Sequence, residues 1–103
     1  MTPVRVALRL SPPLVADLLA SLVEEPGIDV VIDLGSGAVD AGTDVLVTAA
    51  SLPSPLPPTV VLLSEPIAPG TATIQTGDRN EAVPVEDLAA VAAVVRQLCT
   101  ARG

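Results

Sequence analysis

The reactive side chains of this sequence are few, and the commonest catalytic types are missing. The chain has no His and no Lys, so the usual general base and the usual phosphate-binding cation are both absent. The hydroxyls of Ser11 and Ser64 therefore have no His or Lys to activate them as nucleophiles. The sequence predicts a protein that is not an enzyme and that holds no metal ion or cofactor.

One thiol and one glycine-rich segment offer two further kinds of chemistry. Cys99 has no other cysteine to pair with and lies at helical spacing among apolar residues, so we favour packing in the core or an interface over a redox role. Gly35-Ser36-Gly37 would bind phosphate best at the start of a helix, but no strong helical pattern follows it. We interpret this segment as a flexible connection.

The charge balance argues against one class of partner. The 103 residues include five arginines and twelve acidic residues, which give a net charge of −7. Direct binding of nucleic acid needs a basic surface, which this balance does not provide. The apolar runs are too short for a membrane helix and no secretory signal pattern begins the chain, so we expect a cytoplasmic protein that does not bind a membrane.

A strand, a helix and a second strand open the chain. Alternating apolar residues predict the first strand from Val4 to Leu10, and Ser11 followed by two prolines predicts the start of the helix. Pro26-Gly27 predicts the end of the helix, and the segment DVVIDL, residues 29–34, predicts the second strand. Such a unit implies parallel strands joined by a crossover. We expect the helix to bury one face that contains Leu14, Val15, Leu18, Leu19 and Leu22.

Three further predicted strands follow, at residues 44–48, 59–64 and 71–76. The segment 44–48 is nearly continuous in apolar residues, so we expect it to be central in the sheet. Residues 51–58 contain four prolines, which predict a stiff extended loop; we prefer this to a proline-rich ligand for a partner domain. Residues 77–83 are expected to form a polar loop, and Pro84 to open a final helix over 84–99.

This order of elements predicts a small doubly wound α/β fold. We expect one domain over residues 1–103, with a mainly parallel five-stranded sheet in flavodoxin-like strand order. Proline-rich loops replace two of the usual crossovers, so the middle helices are reduced and one face of the sheet is thinly covered or is covered by another chain. The sequence has no aromatic residue, and the core must therefore be aliphatic.

Several segments resemble the receiver domains of bacterial response regulators. VRV, PLV and EEPGIDVV, residues 4–6, 13–15 and 24–31, fall at the spacing of the first strand, first helix and second strand of those domains. DVLVTAASLP, VVLLS and VEDLAAVAAVVRQL look like the third strand, the fourth strand and the final helix. The chain is most similar to receivers of the NarL/FixJ type, which precede a LuxR-like helix-turn-helix. The resemblance implies a receiver-like fold.

The same resemblance implies that the phosphoryl switch is absent. A phosphorylatable receiver needs an acidic pair for Mg²⁺, an acceptor Asp and a Lys. The matching positions are Leu10 and Ser11 for the acidic pair and Ala49 for the acceptor, and the chain has no Lys. Only Ser64 keeps the residue type of the family, and we interpret its hydroxyl as satisfied at a strand end. The chain therefore looks like a pseudo-receiver, the N-terminal domain of a longer regulator.

A regulatory module that works without phosphorylation is the function that this reading predicts. We expect a homodimer that contacts DNA only through a helix-turn-helix domain outside this chain. The candidate dimer face lies on the first and last helices and consists of Val15, Leu19, Val91 and Val95.

The alternative is a sensor of small molecules. In an open α/β sheet, ligands bind beyond the carboxyl ends of the strands. With no carboxylates at that edge, an uncharged ligand would fit best. The candidate rim of such a pocket consists of Ser11, Ala50, Ser64 and Thr76.

Overall fold

The structure is a computed structural model, and it describes residues 3–10, 13–32, 42–49, 57–64 and 69–102. The predicted glycine-rich connection at residues 35–37 lies outside the described residues, as does most of the proline-rich loop. The elements in chain order are β1 (Val4–Arg9), α1 (Pro13–Val23), β2 (Ile28–Ile32), β3 (Val45–Thr48), β4 (Thr59–Leu63), β5 (Gly70–Thr76), β6 (Arg79–Val85) and α2 (Leu88–Arg102).

One mixed sheet contains all of these strands, in the order β2-β1-β3-β4-β5-β6. β2, β1, β3 and β4 run parallel, whereas β5 is antiparallel to β4 and β6 is antiparallel to β5. The predicted doubly wound, mainly parallel five-stranded fold with its receiver-like architecture is therefore wrong, although the first five strands keep the predicted flavodoxin-like order. Only residues 64–69 join β4 to β5, and a parallel crossover needs a dozen or more residues, so the chain turns back instead.

The sixth strand belongs to a tight hairpin that the sequence analysis missed. Thr76 pairs with Arg79, which leaves Gly77 and Asp78 as a two-residue loop. Gly77 has φ +59°, and the described residues include no other residue type with positive φ. A glycine at the first loop position followed by a residue with negative φ is the pattern of a type II′ turn, which suits the twist of paired strands. The predicted polar loop at 77–83 is thus mostly strand.

The last helix begins later than predicted. Pro84 lies in β6 opposite Thr71, and α2 starts at Leu88. The Asp87 side chain accepts a hydrogen bond from the backbone N–H of Ala90 through its Oδ1, at 2.9 Å. An aspartate in this position caps the free N–H groups of the first turn. Neither helix in the described residues is long and apolar enough to cross a membrane.

Both helices pack on one side of the sheet, here called the inner face. Their buried side chains join those of alternate strand residues in one aliphatic cluster, and α1 also packs against α2. Leu8, Leu19 and Val95 are fully buried in this cluster. Burying an aliphatic side chain of this size contributes about 1.5–3 kcal/mol, so the inner face supplies most of the hydrophobic stabilisation. The outer face has a much smaller buried cluster, made by Ala7, Leu46 and Val60.

The buried side of α1 differs from the predicted one. Ala16, Leu19 and Val23 are fully buried, and Val15 and Ala20 pack half-buried beside them. The other three leucines of the predicted face, Leu14, Leu18 and Leu22, are exposed. The sheet can cover only one arc of a helix, and it covers the arc centred on Leu19.

Candidate functional site

The carboxyl edge of the parallel strands is where the sequence placed the site. Arg9 lies beside Thr48 and Thr48 beside Leu62, so the residues that follow these strands gather at one edge of the sheet. Leu10 is buried there, with 5% of its surface exposed, and Ala49 is half-buried against the same core. The two described positions that the sequence resemblance matched with receiver carboxylates thus carry apolar side chains. Ser11, the other position of the acidic pair, lies outside the described residues.

Ser64 is held at this edge by hydrogen bonds to β5. Its Oγ accepts a hydrogen bond from the backbone N–H of Thr71 at 2.8 Å, and its own N–H donates to the Thr71 carbonyl at 3.0 Å. The hydroxyl therefore helps to fix the return of the chain from β4 into β5. This is the strand-end role that the sequence analysis expected for Ser64.

Thr76 lies at the opposite edge of the sheet from Ser64. Because β5 is antiparallel, its last residue Thr76 pairs with Thr59, the first residue of β4. Five residues of extended chain separate Thr59 from Ser64, a distance of about 17 Å. Of the candidate ligand rim, Ser11 and Ala50 fall outside the described residues, and the structure does not bring Ser64 and Thr76 together.

The side chains of the candidate dimer face are mostly buried by packing within the chain. Leu19, Val91 and Val95 have no exposed surface and belong to the inner core. Val15 is half-buried against the same cluster. Three of these four residues therefore offer no surface to a second copy.

Chemistry-bearing side chains in the described part of the chain are dispersed or buried. Cys99 is in the inner core with 3% of its surface exposed, which agrees with a packing role. No group of three His, Cys, Asp or Glu residues in the described ranges is placed to hold a metal ion.

Charged groups instead tie strands together at the amino edge. The backbone N–H of Arg5 donates to Asp44 Oδ2 at 3.0 Å, and the Asp44 N–H donates to the Arg5 carbonyl at 2.9 Å. The Arg5 Nε lies 3.5 Å from Asp29 Oδ2, across to β2. Asp44 also accepts a backbone hydrogen bond from Thr59 at 3.2 Å. These contacts join β2, β1, β3 and β4, which is a structural role.

An exposed row of leucines on α1 is the feature that remains without a structural use. Leu14, Leu18 and Leu22 are 65%, 49% and 42% exposed. They are spaced four residues apart, so they lie side by side along one flank of the helix. We call these three residues the leucine row. Among the described residues, the only other large hydrophobic side chain with comparable exposure is Val31 of the edge strand β2.

The charges beside the leucine row have one sign. Asp17 is exposed on α1, and Glu24 and Glu25 are exposed just after its end. One described cation, Arg96 of α2, pairs with them: its Nη1 lies 3.3 Å from Glu25 Oε1. The surface around the row is therefore acidic, with one carboxylate compensated.

Sequence reasoning missed the leucine row although a signal for it was present. Between Pro13 and Val23 only Asp17 and Ser21 are polar. A surface helix that packs on one sheet needs an apolar stripe on one side only. The apolar arc of α1 is wider than its packing on the sheet and on α2 covers, and the leucine row is the part that stays exposed.

Comparisons with known proteins do not indicate a family or a function for this chain. No family model matches the chain, and neither a curated protein nor a solved structure matches it.

Proposed function

We propose that this chain is a regulatory assembly module that performs no chemistry and works by binding another protein chain on the leucine row of α1. The observation that carries the proposal is the exposure of Leu14, Leu18 and Leu22 on one flank of a helix whose other side packs into the core. Exposed apolar groups that are contiguous mark interaction sites, whereas scattered ones are ordinary.

The magnitude of this contact indicates its strength. Covering a leucine that is about half exposed contributes on the order of 1 kcal/mol, so the row supplies about 3 kcal/mol. Association costs about 4–15 kcal/mol in lost translational and rotational freedom. The row is therefore the centre of an interface, to which surrounding contacts must add, and the complex is a weak or transient one.

The absence of a phosphoryl switch is supported by the residues at the carboxyl edge. Leu10 is buried, Ala49 cannot accept a phosphoryl group, and Ser64 is engaged with Thr71. Incubation with acetyl phosphate and Mg²⁺ is expected to leave the mass of the protein unchanged. A stable gain of one phosphoryl group would contradict this part of the proposal.

The proposal that this module belongs to a transcription regulator rests on the resemblance of short segments to receiver domains. The receiver-like segments of β1, α1 and β2 support a place in a cytoplasmic transcription regulator, with DNA contacted by a helix-turn-helix outside this chain. The sheet lends no support to this setting, because its antiparallel end differs from a receiver. The alternative of a neutral-ligand sensor has lost support, because Ser64 and Thr76 lie at opposite edges.

The sequence analysis expected a homodimer on a different face, and molar mass tests whether a second copy instead occupies the row. Light scattering with refractive-index detection is needed, because the protein has no aromatic side chain to absorb at 280 nm. Self-association through the row would raise the mass with concentration, and Leu18→Gln would abolish the rise. Ala93→Gln, an exposed change on α2, is the matched control and should leave association intact. Association that Leu18→Gln does not weaken would contradict the row as the interface.

A further inference from the structure

We infer that the partner of the leucine row is a basic amphipathic helix, in which an apolar row is flanked by Lys or Arg. This inference rests on the proposed function, because it takes the row as the contact surface and names the chemistry of what binds there. Two features argue for it: the sign of the charges around the row and the spacing of the leucines.

The charges favour a cationic partner over a second copy. Asp17 lies one helical turn from Leu14, Glu24 and Glu25 follow the C-terminal end of α1, and the sequence has no Lys or Arg anywhere from Leu10 to Asp78. Only Glu25 has a described cation beside it, Arg96. In a pair of identical α1 helices, the carboxylates of both copies would approach each other with little compensation. Lysines or arginines on the partner would instead pair with Asp17, which is exposed beside Leu14.

The size of the charge effect is sufficient to select the partner. Two like charges about 4 Å apart in water repel by about 1 kcal/mol, and an exposed ion pair gains about 0.2–1 kcal/mol. A partner helix with basic flanks should therefore bind more tightly than one with acidic flanks, and the difference in binding free energy is about what one covered leucine contributes. With only about 3 kcal/mol available from the row, this difference is decisive.

The spacing of the leucines favours a helix as the occupant. Leu14, Leu18 and Leu22 form one i, i+4 ridge, and such ridges pack between those of a second helix at a crossing angle of about −50°. The row spans about 12 Å, so a partner helix of two to three turns covers it, with Leu18 at the centre. An interface this small lies below the roughly 800 Å² per partner of a standard complex, so binding is weak. Because ion pairs contribute to it, binding is also sensitive to salt.

The experiment uses the intact protein and a synthetic peptide that contains one Trp. The peptide has about 18 residues, which is long enough to be helical, with leucines at i, i+4 and i+8 and lysines on the flanks. Because the protein has no Trp, Tyr or Phe, the fluorescence anisotropy of the peptide reports binding without background. Two matched peptides complete the set: one with Glu in place of every Lys, and one with the Lys peptide's composition in scrambled order.

We expect the Lys peptide alone to bind with a saturable isotherm. Its affinity should fall several-fold as salt rises from about 0.01 to 0.1 M, where the Debye length shortens from about 30 to about 10 Å. Leu18→Gln should weaken binding about fivefold or more, and Asp17→Asn two- to fivefold. Ala93→Gln should bind as the unchanged protein does. Circular dichroism should show that all three variants remain folded, because each changed residue is exposed.

Each other outcome overturns the inference in an identifiable way. Equal binding of the Glu peptide would remove the role of charge, and equal binding of the scrambled peptide would reduce the effect to general electrostatics. If no peptide binds but the protein forms a dimer that Leu18→Gln disrupts, the second copy is the occupant; the inference fails and the proposed function stands. If no peptide binds and the protein stays monomeric at every concentration, both fail.

Discussion

The four parallel strands and the β5–β6 hairpin share one sheet but are stabilised by different means. β1, β3 and β4 are buried along almost their whole length. β6 is exposed at nearly every position, and only Val85 is fully buried. The three inner parallel strands β1, β3 and β4 are therefore held mainly by the core. The hairpin adds Ala72, Ile74 and Val85 to that core but depends more on its backbone ladder and its turn. We expect the hairpin to open locally at a lower free energy than the parallel region.

The largest loss of stability should come from a truncation in the core under the parallel strands. Leu19→Ala removes a fully buried side chain beneath α1, and such a truncation costs about 2–5 kcal/mol because a cavity remains. Leu18→Ala is the matched control one residue earlier, where the side chain is 49% exposed; its cost should stay within about 1 kcal/mol. Urea unfolding followed by far-UV circular dichroism measures both. Equal costs would show that the two sides of α1 are wrongly assigned.

The next effect should come from the polar link at the amino edge of the parallel region. Asp44→Ala leaves the Arg5 N–H without the carboxylate that accepts its hydrogen bond, and the loss of such an acceptor costs about 1–3 kcal/mol. Asp44→Asn keeps an oxygen in the same place and should recover part of the stability. Urea midpoints rank the three proteins. The same midpoint for Ala and Asn would mean that the hydrogen bond contributes nothing.

In the hairpin, the turn should be the sensitive point. Gly77 has φ +59°, and a side chain there costs about 1–2 kcal/mol. Gly77→Ala should speed amide hydrogen exchange in β5 and β6 and leave exchange in β1 almost unchanged. Asp78→Ala, at a loop position with negative φ, is the control and should have little effect. Faster exchange throughout the sheet would contradict a hairpin that opens by itself.

The smallest effect should come from the junction of the two regions. Ser64→Ala removes the Oγ that accepts the Thr71 N–H. The site is exposed and water can replace the hydroxyl. We therefore expect the free energy of unfolding to fall by an amount near the low end of about 0.5–1.5 kcal/mol. Ser64→Thr keeps the oxygen and should retain most of the stability. Thermal melts by circular dichroism compare the two variants. A loss above that of Asp44→Ala would reverse the order proposed here.

The same contrast explains what the sequence could predict. The strands and the first helix of the parallel region follow strong apolar patterns, so their positions were predicted to within a few residues. β6 was not predicted, because its sequence RNEAVPV has charged and polar residues on an edge that faces solvent. In addition, Pro84 resembled the start of a helix. The Gly77-Asp78 pair between two runs of strand length was the signal for a hairpin.

The candidate site was predictable only in part. Ser64 was placed at the correct edge, because β4 is parallel to its neighbours. Thr76 was placed at the wrong edge, since a strand pattern carries no information about strand direction. On α1, two adjacent apolar rows compete for the sheet, and the choice between Leu18 and Leu19 depends on a rotation that only tertiary packing sets.

Pro84 has a consequence for how this protein can assemble. The backbone N–H and carbonyl of Thr71 point towards Ser64 of β4, so the residue opposite Thr71 on β6, Pro84, turns its backbone away from β5. Proline has no N–H to offer at that free edge. With exposed charges at Arg79 and Glu81 on the same strand, the edge resists pairing with strands of other molecules. This end of the sheet is thereby protected against fibril-like growth.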